Sequence, residues 1–216
     1  MTQNPLSHLQ PQLEAALENL ALELSGSQVD ALMTYLSLLQ KWNKVYNLTA
    51  IRDPQEMLIK HLIDSLAVVP HIDSPSVIDV GSGGGLPGIP LAICFPDRRI
   101  DMLDSNIKKT RFLIQAKAEL GLKNSQVWHK RVEEYQPDPL YGAVVSRAFA
   151  SLEDMFSWTK ELLPQNGVWW AMKAQKETEE LANLPSYAHV AEIIELQVPG
   201  LDAQRRLIKA LKVSSN

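Results

Sequence analysis

The segment Val77-Ile78-Asp79-Val80-Gly81-Ser82-Gly83-Gly84-Gly85-Leu86-Pro87-Gly88 carries the plainest chemical content in the chain. β-Favouring residues around Asp79 make a short buried strand that runs straight into a glycine-rich turn. Glycine has no Cβ and enters positive φ freely, so bare peptide groups in such a turn can approach a ligand closely. Pro87 suits the first turn of a following helix, whose unpaired N–H groups favour an electron-rich ligand. Two acids stand where later strands should end. Asp104 follows Arg99–Leu103 and is placed to accept hydrogen bonds from a ribose; it could equally cap a helix beginning near Ile107. Glu133 follows Gln126–His129, where a carboxylate can meet the amino edge of an adenine. With Asp79, three acids at three successive strand ends predict a nucleoside pocket.

The elements that must position these groups follow from the hydrophobic pattern. Short β-rich runs at Val77–Val80, Arg99–Leu103, Gln126–His129, Ala143–Ser146 and Gly167–Met172 alternate with amphipathic helical stretches, which predicts βαβ units and a mostly parallel sheet. His189–Val198 and Arg205–Lys212 read as an antiparallel hairpin at the sheet edge, turned by Pro199, Gly200 and Asp202. Ahead of them lies a small helical region. Leu13, Leu17, Leu20 and Leu24 form one helical stripe that Gly26 breaks; Val29, Leu32, Leu36 and Leu39 form a second. Asp53 and Pro54 open a third helix that runs to Pro70. The expected organisation is thus a helical N-terminal region over residues 1–72 and a Rossmann-like α/β domain over residues 73–216.

Two glycine spacings compete for the turn. Gly83, Gly85 and Gly88 fit the dinucleotide fingerprint G-x-G-x-x-G. Asp79, Gly81, Gly83 and Gly85 instead fit acid-x-G-x-G-x-G, the first motif of S-adenosylmethionine-dependent methyltransferases. The strand ends at Val80, so the turn begins at Gly81, which favours the second spacing. A phosphate-binding P-loop is excluded, because no Gly-Lys-Ser/Thr follows.

The acceptor of a methyl group is constrained as well. Asp138-Pro139-Leu140-Tyr141 resembles an amine-methylating motif but precedes the fourth strand, and is read as a turn. Cys94, the single cysteine, sits in an apolar helical run that suits packing better than nucleophilic attack on a pyrimidine. After the fourth strand comes Ser146-Arg147-Ala148-Phe149-Ala150, a cation and an aromatic with no base. That composition suits an acceptor that is already nucleophilic, such as the N7 lone pair of guanine, with rate gained mainly by orientation.

Trp42-Asn43-Lys44-Val45-Tyr46-Asn47-Leu48-Thr49, His61-Leu62-Ile63-Asp64-Ser65-Leu66, the Asp79–Pro90 segment, Leu103-Asp104-Ser105 and the Ser146–Ala150 segment together resemble the bacterial small-subunit ribosomal RNA guanine-N7 methyltransferase G family, formerly called glucose-inhibited division protein B. The resemblance spans nearly the whole chain. It implies a class I methyltransferase that uses S-adenosyl-L-methionine to modify a guanine of 16S rRNA. It also implies that Gly81 and Leu86 line the cofactor site, that Val132 and Glu133 meet the adenine, and that Arg147 faces the cofactor near the acceptor. Asn43, Lys44, Asn47, His61 and Asp64 recur in its motifs, either at the pocket mouth or in interdomain hydrogen bonds.

The formal net charge of -4 argues against indiscriminate binding to nucleic acid, yet the charges are segregated: residues 1–40 hold no Lys or Arg. Lys108, Lys109, Arg111, Arg131, Lys173, Arg205 and Arg206 are the expected contacts to RNA phosphates. Recognition of the target is expected to rest on RNA shape and an unstacked base. A lone cysteine excludes a disulfide framework or a Cys-rich metal centre, so no metal is expected. The absence of an apolar run near 20 residues and of a signal-like start predicts a cytoplasmic protein, a monomer by default, and the resemblance implies 16S rRNA or the small ribosomal subunit as its partner. Two other classes stay compatible with the residues: a nicotinamide-dependent oxidoreductase using Gly83, Gly85 and Gly88, and a non-catalytic ribosome-assembly factor.

Overall fold

The computed structural model describes residues 4–147, 149, 151–174, 180–181 and 183–214. Ala148 and Ala150 of the motif after the fourth strand lie outside the described residues. Five parallel strands, β1 (Ser76–Val80), β2 (Arg99–Asp104), β3 (Val127–His129), β4 (Ala143–Ser146) and β5 (Val168–Lys173), are continued by an antiparallel pair, β6 (Ala188–Leu196) and β7 (Arg205–Lys212). Their spatial order is β3-β2-β1-β4-β5-β7-β6. The mostly parallel sheet and the C-terminal hairpin stand as the pattern predicts, with strand ends within a residue or two. β7 inserts between β5 and β6, pairing Lys173 with Arg206 and Val168 with Leu211.

Strand alternation divides the core between the two faces of the sheet. Val77, Ile100, Met102, Val145, Trp170 and Leu207 point to one face. There they join residues of α1 (Gln10–Asn19), α2 (Gly26–Tyr46), α5 (Gly88–Cys94) and α6 (Ile107–Glu119), so the N-terminal helices and one side of the sheet share a continuous apolar cluster. Ile78, Val80, Leu103, Val144, Trp169 and Ile208 point the other way, against Leu152, Met155 and Phe156 of α7 (Leu152–Thr159). Trp169 and Trp170 thus pack on opposite faces and are both fully buried. Trp169 donates its indole N–H to Thr159 Oγ1 at 2.8 Å.

Two helical expectations need correction. The first stripe stops at Asn19; Leu20 to Leu24 lie outside the helix, and Ala21 takes a left-handed φ of 52°. Gly26 breaks nothing and is the first residue of α2. Ser25 and Gln28 form a reciprocal capping box that starts the helix there, and apolar spacing alone does not register it. The third helix does open at Asp53, whose carboxylate accepts the Glu56 N–H at 2.9 Å. It is irregular thereafter: α3 (Pro54–Met57) widens into a π-helical stretch over Leu58–Ile63, then α4 (Asp64–Leu66). Its last α-helical residue is Leu66, and Val69–His71 form a separate 3₁₀ turn. π-Helical insertions recur at functional sites, and this one carries Lys60 and His61 and leads directly into Asp64.

Candidate active site

Parallel strands all end on one edge of the sheet, and ligands of open α/β sheets bind outside that edge where the strand order reverses. The reversal here lies between β1 and β4. Gly81, Asp104, the Lys130–Glu133 segment, Arg147 and Lys173 therefore gather at one rim. Because β7 runs antiparallel and begins there, Arg205 and Arg206 join them from the far end of the sequence.

The glycine turn is built as a sling over the strand ends. Gly81, Gly83 and Gly85 have φ of 74°, 58° and 87°, all left-handed. Gly81 N–H donates to Leu103 O at 2.8 Å and Gly83 N–H to Asp104 Oδ2 at 2.8 Å, tying the turn to β2. Below it, Asp79 is completely buried; its Oδ2 accepts the Gly88 N–H at 2.9 Å and fastens the start of α5. Among the described residues, Asp79 Oδ1 has no hydrogen-bond partner. Burial pushes this carboxyl up to about 7, against the opposing pull of the Gly88 N–H. A Cβ on Gly85 would sit 2.6 Å from Ile89 Cδ1, so that glycine faces the core. A Cβ on Gly83 would approach nothing closer than 3.8 Å, so that wall of the turn is open to a ligand.

A cavity of about 400 Å³, within the range of small-molecule sites, opens beside the turn. Gly81, Asp104, Val132 and Glu133 line it, as do Ser105, Lys109, Lys130, Arg131, Phe149, Asp154 and Trp158. Asp104 is buried and does two jobs at once: Oδ2 accepts from Gly83, Oδ1 accepts the Asn106 N–H at 2.8 Å, and each oxygen keeps acceptor capacity for a sugar hydroxyl. It is not the cap of α6; Asn106 fills that place by accepting from Lys108 and Lys109 N–H. The cavity thus presents Asp104 at the tip of β2, Glu133 in the 3₁₀ turn Val132–Glu134 that follows β3, a peptide wall at Gly81 and the rings of Phe149 and Trp158. Leu86 is buried in the core beneath the turn, and its side chain is not part of the lining. Lys130, Asp154 and Trp158 carry no sequence signal for this role, because the two α7 residues reach the rim only through helix packing. Phe149 meets Trp158 edge to face at 5.8 Å.

Phe149 also borders a second cavity of about 530 Å³, lined by Lys60, His61, Asp64, Arg147, Lys173, Glu180, Arg205 and Arg206 among others. Arg147 belongs to this side. Its Nη1 donates to Asp64 Oδ2 at 3.2 Å and to Lys60 O at 3.3 Å. The Arg205 Nε donates to Asp64 Oδ1 at 2.9 Å. His61 is buried; Nδ1 lies 3.1 Å from Lys60 O and Nε2 2.7 Å from Thr49 Oγ1. Burial, reinforced by Arg147, lowers its pKa to about 4, so the ring is neutral at pH 7. Asn43 fixes the same neighbourhood, accepting the Thr49 N–H and donating to Ile51 O.

Of the basic residues singled out in the sequence, Lys109 and Arg131 border the first cavity and Lys173, Arg205 and Arg206 the second. Lys108 and Arg111 are exposed on α6 near its start. Away from the rim, Tyr141 is buried, donating to Asp101 Oδ2 at 2.6 Å and meeting Tyr135 at 2.8 Å, which makes it a core tyrosine. Burial pushes the Cys94 thiol up to about 12, far from a nucleophilic thiolate. Among the described residues no cluster of three potential metal ligands occurs, and no helix is long and apolar enough to cross a membrane.

The strand order and the glycine sling, with a cavity beside it, define a class I methyltransferase fold. The O-methyltransferase TomG of Streptomyces achromogenes, solved in complex with SAM, is similar over 99% of this chain and 100% of its own, with a TM-score of 0.56 at 14% identity. The N-methyltransferase NodS of Bradyrhizobium japonicum is similar over 72% of this chain and 95% of its own, with a TM-score of 0.52 at 15% identity. At such identities the likeness concerns the fold. The particular family is given by sequence: the pattern described as rRNA small subunit methyltransferase G matches residues 28–208. The ribosomal RNA small subunit methyltransferase G of Hydrogenovibrio crunogenus is 60% identical over 212 residues, 98% of each chain. That of Pseudomonas syringae pv. tomato is 51% identical over 197 residues, 91% of this chain and 93% of its own. The chain belongs to the rRNA small subunit methyltransferase G family.

Proposed function

We propose that this protein transfers the methyl group of S-adenosylmethionine to N7 of a guanine in 16S rRNA. The observation that carries the reading is the pair of adjoining cavities, one lined by Gly81, Asp104, Val132 and Glu133 and one basic, which share Phe149. When bound, S-adenosylmethionine supplies a methyl group made electrophilic by its sulfonium. Asp104 holds the ribose, Val132 and Glu133 the adenine, and the peptide groups from Gly81 to Leu86 the remainder, with Arg147 beside the acceptor. An N7 lone pair is nucleophilic without losing a proton, so no general base is required. The surroundings of the acceptor cavity agree: His61, the imidazole on its wall, has Nε2 engaged by Thr49 and is not poised to take a proton. The chain's contribution is then to orient the two reactants and exclude water.

In this reading residues 73–216 form the cofactor domain, and the helical residues 1–72 supply Lys60, His61 and Asp64 to the acceptor side. The protein acts as a cytoplasmic monomer. Lys108, Lys109, Arg111, Arg131, Lys173, Arg205 and Arg206 hold RNA phosphates, a reading supported by Lys109 and Arg131 at the first cavity and Lys173, Arg205 and Arg206 at the second. The test is incubation with methyl-labelled S-adenosylmethionine and, separately, naked 16S rRNA, an assembly intermediate and the intact small subunit, followed by mapping of the labelled nucleotide. One guanine labelled at N7 is the expected result. No incorporation into any of the three, or label on another atom, overturns the proposal.

A further inference from the structure

Among the described residues, five cations line the acceptor-side cavity: Lys60, Arg147, Lys173, Arg205 and Arg206. Three have a carboxylate of their own, Lys60 with Glu56 at 2.5 Å, Lys173 with Glu180 at 3.0 Å and Arg206 with Glu195 at 3.2 Å. Arg147 and Arg205 share one, the buried Asp64, each on a different oxygen. Among the described residues, the excess positive charge of the cavity is therefore concentrated at this triad. Asp64 is 3% exposed in its side chain, whereas the two arginines are 27% and 21% exposed, so the carboxylate lies underneath and the guanidinium groups face the opening. A guanidinium has five N–H donors in a rigid plane. Arg147 spends only Nη1 on protein acceptors among the described residues, and Arg205 spends Nε on Asp64 and Nη1 on Gln204 O. Both are partly exposed and keep further N–H donors without an acceptor among the described residues.

We propose that Asp64 is a positioning residue that holds Arg147 and Arg205 as a two-guanidinium clamp for a single oxyanion. The inference rests on the methyltransferase reading above and deepens it. The oxyanion is a phosphodiester group beside the target guanine or the carboxylate of the cofactor's methionine; both present paired oxygens that planar guanidinium groups grip. Three elements distant in sequence converge here, α4 through Asp64, the segment after β4 through Arg147 and the start of β7 through Arg205. Without the carboxylate the two cations would repel and separate.

Coulomb's law alone makes the opposite prediction to positioning, which renders the proposal testable. Asp64→Asn removes a negative charge from the cavity wall, and simple charge attraction then strengthens anion binding. The clamp requires it to weaken, by about tenfold for one lost charge-assisted bond. Asp64→Asn, Arg205→Lys and wild type, each checked for folding by thermal melting, are titrated with 16S rRNA over a salt series. The same proteins are titrated with S-adenosylhomocysteine and with 5′-methylthioadenosine, which lacks the amino-acid carboxylate. If the oxyanion is a phosphodiester, RNA affinity falls about tenfold and its salt dependence becomes shallower by about one ion. If it is the methionine carboxylate, the preference for S-adenosylhomocysteine over methylthioadenosine collapses by a similar factor while RNA affinity holds. Arg205→Lys, which keeps the charge and loses the fork, gives the same pattern, and decides the matter should Asp64→Asn not fold. Binding of all three ligands at or above the wild-type affinity overturns the clamp. Wild-type methyl incorporation serves as the independent control, since its absence would overturn the function and not the clamp alone.

Discussion

Asp79 offers the sharpest physical test of the sling. It is fully buried, has one oxygen without a partner among the described residues, and burial, which penalises the charged form, pushes its carboxyl from the ordinary 3.8 up to about 7. In the unfolded chain the same carboxyl ionises near its ordinary value. Between pH 4 and pH 7 the folded state therefore binds more protons than the unfolded one, and stability must fall as pH rises through that window. At about 1.4 kcal/mol per pH unit, the gap corresponds to a loss of about 4 kcal/mol. Asp79→Asn is the right comparison. The amide oxygen can still accept from Gly88, and the side chain no longer titrates. Urea unfolding at closely spaced pH values, with wild type subtracted from Asp79→Asn, cancels the contribution of the titrating groups that do not interact with Asp79. The difference should be flat below pH 4, rise in favour of the variant by about 4 kcal/mol by pH 7, and level off above it. Parallel curves across pH 4 to 7 would refute the reasoning, because they would mean that Asp79 ionises equally readily in both states.

Three further outcomes follow from the geometry. Gly83→Ala should cost only the left-handed φ penalty of roughly 1–2 kcal/mol, whereas Gly85→Ala should cost about 1–3 kcal/mol more through its clash with Ile89; denaturant unfolding of the two variants compares them directly. Asp104→Ala removes acceptors for Gly83 and Asn106 as well as for a ribose, so calorimetry should show S-adenosylhomocysteine bound at least about tenfold more weakly. Arg147→Ala should lower turnover on rRNA far more than it lowers the melting temperature, because Asp64 retains Arg205; full activity in that variant would remove Arg147 from the acceptor side.

The elements that local chemistry specifies were readable from the chain alone. Alternating β-branched runs and the turn after Val80 yield a mostly parallel sheet with a glycine turn at its edge, since each depends on periodicity or on glycine's missing Cβ; of the three acids read at strand ends, Asp104 and Glu133 line the cavity beside that turn, whereas Asp79 is buried beneath it and holds Gly88. Helix boundaries were less legible. The start of α2 depends on a side-chain bond between Ser25 and Gln28, and the π-helical stretch over Leu58–Ile63 leaves no trace in an apolar repeat.

Tertiary structure decided how charges divide. Arg205 and Arg206 read as free phosphate contacts in the sequence, yet the antiparallel insertion of β7 beside β5 carries them to the rim, where Arg205 meets Asp64 and Arg206 meets Glu195. Pairings across 141 residues, such as Asp64 with Arg205, follow from strand order and packing, which act between elements and have no local signature. The sequence by itself therefore determined which backbone could cradle a nucleoside, while folding determined which cations remain available beside it.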